Sequence, residues 1–252
     1  MVVALQANYL EVELEAPPAD VPSRLLCTRR TRLNHRGAAV HVGDRVHVEA
    51  IDCDHARAVV AEVEPRSSFL VRPPVANASC ILVAVAAEQP AFDADQVSRF
   101  LLTAEKTGLQ VLLVLTKCDL LDADALSQLR QRLQGWGYEP ILVSTRSGMG
   151  LEELRAHLAT VPISVLCGPS GVGKSSLLNG LLPGLALRVG AVSGRLQRGR
   201  HTTRHVELHA FSPGSRVADT PGFNRPELPD DVSNLEVPVS YTHLTLPTNG
   251  EV

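Results

Sequence analysis

The sequence predicts an N-terminal all-β barrel followed by an α/β domain on a mainly parallel sheet, and three observations carry this. Apolar and polar residues alternate with period two in short runs through residues 1–70. From residue 80 onward, unbroken apolar strands alternate with amphipathic helices, the pattern of a parallel sheet covered on both faces. A glycine-rich loop then separates one of those strands from a helix. The length of 252 residues allows one or two domains. With 44% apolar and 20% charged residues, the chain is not disordered, collagen-like or a coiled coil. No apolar run approaches the ~18 residues of a membrane span, and the N-terminus lacks a basic stretch with an apolar core behind it. A cytoplasmic protein with no membrane partner is expected.

In the first part, Leu10, Val12 and Leu14 alternate with Glu11 and Glu13, and Val46, Val48 and Ala50 alternate with His47 and Glu49. Runs at 23–28 and 57–64, with the first few residues, bring the count to about five strands, punctuated by Pro17-Pro18 and Gly43-Asp44. Five strands in about 70 residues fit an OB-type barrel, though a small SH3-like barrel also fits. The boundaries read as 1–70 for the barrel, 71–230 for the α/β domain after the Arg72-Pro73-Pro74 link, and 231–252 for a tail.

In the second part, strands are expected at 80–86, 111–116, 140–144, 163–167, 205–211 and 215–219. Helices open near Asp93, Asp122 and Met149; Gly108 and Gly135 mark two stops, and Leu126, Leu129, Leu133 and Leu151, Leu154, Leu158 set apolar faces. Ligands of such sheets bind at the carboxyl ends of the strands.

The strongest signal is GPSGVGKS at 168–175, a match to G-x-x-x-x-G-K-S/T directly after a strand and before SLLNGLL. The run comprises Gly168, Pro169, Ser170, Gly171, Val172, Gly173, Lys174 and Ser175, with Ser176 following. Gly168, Gly171 and Gly173 let backbone N–H groups turn toward α- and β-phosphates at a positive helix terminus. Lys174 would contact the β- and γ-phosphates, and the Ser175 hydroxyl would bind Mg²⁺. Downstream, Asp219 closes an apolar strand before a Thr-Pro-Gly turn. An acid there can hold Mg²⁺, and the Gly222 N–H can meet a γ-phosphate. The string TKCD (Thr116, Lys117, Cys118, Asp119) ends the strand VLLVL. Asp119 could accept from guanine N1–H and its exocyclic amine, a pair adenine lacks, and the Lys117 stem could lie over the ring. Ser144 and Thr145, ending the next strand, could place a backbone N–H near guanine O6. Only three lysines occur, Lys106, Lys117 and Lys174, and two of them fall in these motifs.

In chain order these are a base loop, a second base loop, the phosphate loop, GRHTT at 199–203 and DTPGF at 219–223. That is a circular permutation of the Ras-like order. With RPPVANAS at 72–79 and QRGRHTTRHVEL at 197–208, the chain resembles the RsgA (YjeQ) family over about residues 2–230. The resemblance implies GTP hydrolysis to GDP and phosphate, stimulated by the small (30S) ribosomal subunit, in late 30S maturation with 16S rRNA as a partner. It puts Thr202 and Thr203 where switch I senses Mg²⁺ and γ-phosphate, Thr203 being preferred. Phe223 stands where Ras-like enzymes carry a water-orienting glutamine, so a slow free enzyme is expected, with His201 the candidate to position water. The catalytic set is then Lys174, His201 and Thr203, and the magnesium set Ser175, Thr203 and Asp219. Two alternatives remain: a non-enzymatic RNA-binding module whose G domain senses nucleotide, and an ATP-using P-loop kinase, against which Asp119 argues.

Two arginine windows bear on partners. Residues 24–45 hold Arg24, Arg29, Arg30, Arg32, Arg36 and Arg45 with one acid, Asp44; residues 188–204 hold five arginines and no acid. The net charge of -3 therefore hides local basic stretches expected to meet rRNA phosphates. The five cysteines, Cys27, Cys53, Cys80, Cys118 and Cys167, are widely spaced and are expected to be buried. None follows Cys167, so the family's zinc ion is expected to be absent. Residues 237–252 show no helical period and resemble translated adapter sequence on a truncated gene fragment, outside the fold. A monomer is expected.

Overall fold

The alternating residues of the first part form five strands: β1 (Val2–Leu5), β2 (Leu10–Glu13), β3 (Arg24–Arg29), β4 (Val46–Asp52) and β5 (Arg57–Val63). The structure, a computed structural model, describes residues 1–6, 8–30, 39–182, 184–185 and 206–219. β1 to β3 form an antiparallel meander, β3 runs parallel to β5, and β5 pairs antiparallel with β4. The ring closes just before β4: the Val2 N–H donates to Asp44 O and the Gly43 N–H to Val2 O, each at 2.8 Å. The inward residues Val2, Leu10, Val12, Leu25, Cys27, Val40, Ala58 and Val60 make its core. Removing a valine or leucine of this kind from water contributes about 1.5–3 kcal/mol.

The alternation in β4 ends early. Ala50 is exposed and left-handed (φ 51), because the register with β5 slips between Glu49 and Asp52 as in a bulge. The Arg72-Pro73-Pro74 segment is also no extended link. It turns between β6 (Phe69–Leu70) and β7 (Val75–Ala76), which pair antiparallel, and Val75 and Ala76 are fully buried. Asn77 pins this hairpin down, accepting from the Ser67 N–H at 2.8 Å and donating to Gly43 O at 3.0 Å.

The described elements group by packing into two compact units. The first holds the barrel together with β11 (Ile163–Cys167), β12 (Glu207–Ser212) and β13 (Ser215–Asp219). Its strand order is β11-β13-β12-β1-β2-β3-β5-β4. β13 runs parallel to β11 with Ile163 opposite Arg216, and β12 is antiparallel to both β13 and β1. The β12–β13 hairpin joins the edge of β1.

β8 (Cys80–Ala86) begins in the first unit and runs into the second, which carries β9 (Gln110–Thr116) and β10 (Ile141–Leu142) in the order β10-β9-β8, with β10 parallel to β9. α1 (Ala94–Glu105) is capped by Asp93, whose carboxylate accepts the Gln96 N–H; α2 (Ala123–Gly135) is capped in the same way by Asp122 through Ala125. α1 buries Val97, Phe100, Leu101 and Ala104. In α2 only Leu133 of the expected apolar face is fully buried, and the left-handed residue past its end is Gly137 (φ 87), not Gly135. α3 (Leu151–Ala159) buries Leu151, Leu154 and Leu158 as their spacing predicts, and α4 (Lys174–Leu181) follows the glycine loop.

Candidate nucleotide-binding site

β11 delivers the chain to Gly168, and residues 168–173 turn it into α4. Gly168 is required by space: a Cβ there would stand 2.0 Å from the Ala84 carbonyl oxygen. Gly171 and Gly173 are required by conformation, with φ +82 and +93, while an added Cβ would meet only ordinary van der Waals contacts. Gly173 is the left-handed cap of α4, whose first turn leaves N–H groups unpaired within the helix. Donors so placed at a positive helix end receive phosphate oxygens. The Lys174 ammonium curls back over the start of this loop, donating to Gly168 O and Pro169 O at 2.7 Å each. The Ser175 hydroxyl makes no hydrogen bond among the described residues. A half-buried, uncommitted hydroxyl oxygen suits a hard cation such as Mg²⁺.

The end of β9 that carries TKCD is tied to this loop. Thr116 is buried at the end of β9, and its Oγ1 stands 2.6 Å from Val172 O and 3.0 Å from Val85 O. Lys117 takes a left-handed conformation (φ 57), and its ammonium donates to Gly171 O at 2.8 Å and to Gln89 O. A Cβ on Gly173 would lie 3.8 Å from Lys117 Cε, so the lysine stem runs along the phosphate loop. These bonds hold TKCD and GPSGVGKS together although about fifty residues separate them. Asp119 sits in the 3-10 turn Cys118–Leu120, exposed and with no hydrogen-bond partner among the described residues.

Several predicted residues serve the loops from beneath. Cys118 is buried, its Sγ donates to Leu115 O, and burial pushes its thiol up to about 11. Ser144 is fully buried; its hydroxyl accepts the Ser147 N–H and its carbonyl the Gly148 N–H, closing the turn that leaves Thr145 exposed. Pro169 and Val172 are buried as well. Asp219 ends β13 in the first unit, at the same end at which the parallel β11 finishes. His201, Thr202, Thr203, Gly222 and Phe223 lie outside the described residues.

Sequence reasoning missed Gln89 and Pro90, in the loop after β8. Gln89 accepts from Lys117, and Pro90 Cδ would lie 3.7 Å from a Cβ on Gly171. The available signal was position alone, since a loop leaving the carboxyl end of a sheet strand is where ligands bind. Two corrections concern side chains. Cys53 is exposed at the β4–β5 turn, while the other four cysteines are buried as expected. The described barrel arginines are not a bare basic face: Arg24 pairs with Glu11 and Glu13 at 3.1 and 3.2 Å, Arg30 with Glu49, and Arg45 with Glu15 at 3.9 Å. Arg29 has no acidic partner among the described residues, and Arg32, Arg36 and the 188–204 window lie outside them. The one acid of the 24–45 window, Asp44, is fully buried against Arg66 at 2.7 and 2.9 Å.

A phosphate loop between a sheet strand and a helix, bonded to a base loop that precedes it in the chain, defines a P-loop GTPase with its nucleotide elements circularly permuted. The RsgA GTPase family matches residues 63–229, and the chain belongs to that family. It is a GTP hydrolase. The small ribosomal subunit biogenesis GTPase RsgA of Synechococcus sp. (strain CC9311) is 73% identical over 237 residues, covering 94% of this chain and 78% of the relative. Among solved structures, YjeQ from Thermotoga maritima is similar with a TM-score of 0.74 at 34% identity, over 91% of this chain and 76% of that one. YloQ, described as a circularly permuted GTPase, is similar with a TM-score of 0.68 at 29% identity, over 90% and 71%.

Proposed function

We propose that this chain binds GTP with Mg²⁺, hydrolyses it to GDP and phosphate, and acts in biogenesis of the small ribosomal subunit, stimulated by the 30S particle late in its maturation. The observation that carries the reading is the hydrogen bonding of Thr116 and Lys117 to the phosphate loop, which joins a guanine-selective element to a phosphate cradle. Lys174 exchanges its loop carbonyls for β- and γ-phosphate oxygens, Asp119 accepts from the guanine edge, and the Thr145 loop presents a backbone N–H to O6. Ser175, Thr203 and Asp219 are the oxygen donors for Mg²⁺, which when bound offsets charge on the β- and γ-phosphates. The Gly222 N–H meets the γ-phosphate, and His201 positions the attacking water in place of the glutamine that Phe223 replaces.

The domains are a barrel at 1–70, of OB type by its 1-2-3-5-4 strand order, a GTPase domain at 71–230, and a tail at 231–252. The protein acts in the cytoplasm as a monomer, with 16S rRNA among its contacts. Since neighbouring glutamates offset Arg24, Arg30 and Arg45, Arg29 and the 188–204 window carry the charge available to rRNA phosphates.

Phosphate release measured with and without 30S subunits tests the reading. Stimulated release that disappears in Lys174→Ala and Ser175→Ala is expected. Binding of GTP with no turnover under either condition would favour the non-enzymatic module, and preference for ATP in competition would overturn the assignment of Asp119.

A further inference from the structure

We propose that Arg216 and Glu13 are a positioning pair through which the barrel holds the Asp219 end of β13, so that the Mg²⁺ dependence of nucleotide binding runs through a barrel residue. This rests on the reading of Asp219 as a magnesium-holding acid. The two residues stand 203 positions apart in the chain, yet Arg216 Nη2 donates to Glu13 Oε1 at 2.6 Å, with side chains only 11% and 18% exposed. Arg216 Nε is buried and has no hydrogen-bond partner among the described residues, so Glu13 is the anion that compensates this guanidinium. The other oxygen of Glu13 faces Arg24 at 3.2 Å, and Arg24 in turn bonds Glu11. One carboxylate therefore bridges the buried end of β13 and the outer surface of β2 and β3.

The geometry gives this pair leverage. Along the sheet, Ala4 of β1 lies opposite Glu207 of β12, and Glu207 lies opposite Asp219 of β13. Asp219 thus stands in the row where the barrel edge meets the hairpin. Three residues back, about 10 Å along the strand, Arg216 anchors the other end of β13 to Glu13. Ala4–Glu207 is the one register pair between β1 and β12 among the described residues, so the ion pair is a second fastening across a short seam. Without Glu13, an unpaired buried cation must move toward water, and β13 moves with it.

The test uses the full chain with a fluorescent non-hydrolysable GTP analogue, titrated with Mg²⁺ and also measured in its absence, with a thermal melt for each variant. Glu13→Gln is isosteric, removes the charge and keeps one acceptor oxygen. It is expected to raise the half-saturating Mg²⁺ concentration about threefold to tenfold, with affinity in the absence of Mg²⁺ unchanged. Arg216→Gln should do the same, and Arg216→Lys, which keeps the cation, should restore most of the response. A purely structural pair would lower the melting temperature and weaken binding equally with and without Mg²⁺, and that outcome overturns the proposal. Asp219→Asn separates the two layers. If it shifts the Mg²⁺ response and Glu13→Gln does not, the pair has no positioning role; if Asp219→Asn leaves the response unchanged, the reading of Asp219 fails and the proposal fails with it.

Discussion

Replacing Gly168 with alanine places one methyl group where the fold has no room for it. The added Cβ would stand 2.0 Å from the Ala84 carbonyl oxygen, and Cβ contacts essentially never fall below 3.0 Å. The phosphate loop and β8 must therefore separate by about 1.0 Å, the difference between those two values. Backbone on both sides of the clash leaves no flexible side chain to yield. A misplacement of about 1 Å at a phosphate cradle costs roughly a hundredfold, which is about 2.7 kcal/mol. Fluorescent GDP titration at fixed Mg²⁺ should show that loss, with the melting temperature lowered as well because Ala84 is fully buried. Gly135→Ala is the internal contrast. Gly135 is the last residue of α2, with nothing within 4 Å and no left-handed φ, so alanine there should stabilise by about 0.4–1 kcal/mol and leave GDP binding untouched. If Gly168→Ala bound GDP as tightly as the parent, the close-approach account of this loop would be wrong.

Arg66→Ala should destabilise the barrel by about 3–5 kcal/mol in denaturant titration, because among the described residues it leaves the fully buried Asp44 carboxylate with only the His41 N–H as partner; a change under about 1 kcal/mol would mean the pair behaves like a surface ion pair. Asp119→Asn should lower GTP affinity and raise affinity for xanthosine triphosphate, whose carbonyl at that ring position accepts from an amide; unchanged preference for GTP would remove Asp119 from the base site. Native-state alkylation should modify Cys53 first and spare Cys27, Cys80, Cys118 and Cys167 until denaturant is added, and mass spectrometry of the labelled peptides decides it. Burial raises the Cys27 and Cys118 thiols from 9.0 to about 11. Between pH 9 and 11 the unfolded chain therefore loses protons that the folded chain keeps, so the stability these thiols contribute is present below pH 9 and is lost as pH rises toward 11. Melting curves across that range should fall less steeply in a Cys27→Ala, Cys118→Ala double variant.

Much of the site was legible because its chemistry is local. GPSGVGKS needs glycine where the backbone must turn left-handed and serine and lysine at the helix start, and those demands fall on neighbouring residues. The helix caps Asp93 and Asp122 were readable for the same reason, each bonding an N–H three residues on. What stayed hidden was non-local. No spacing in the chain tells that Lys117 donates to Gln89, that Asp44 is neutralised by Arg66, or that glutamates from β2 and β4 meet Arg24 and Arg30. The arginine window read as a basic face because sequence counts charges along the chain, whereas strand pairing decides which charges stand side by side.

By itself, the sequence determined the class of fold, the order of the TKCD and GPSGVGKS loops in the chain, and the inward Leu10 and Val12 of β2, since periodicity and loop stereochemistry act over a few residues. Only the tertiary structure decided that Gly168 is held by Ala84, that the Arg72-Pro73-Pro74 segment is a packed hairpin turn, and that Arg216 of β13 is bound to Glu13 of the barrel. Those facts depend on which strands become neighbours, and neighbours across a sheet are chosen by the burial of the whole chain.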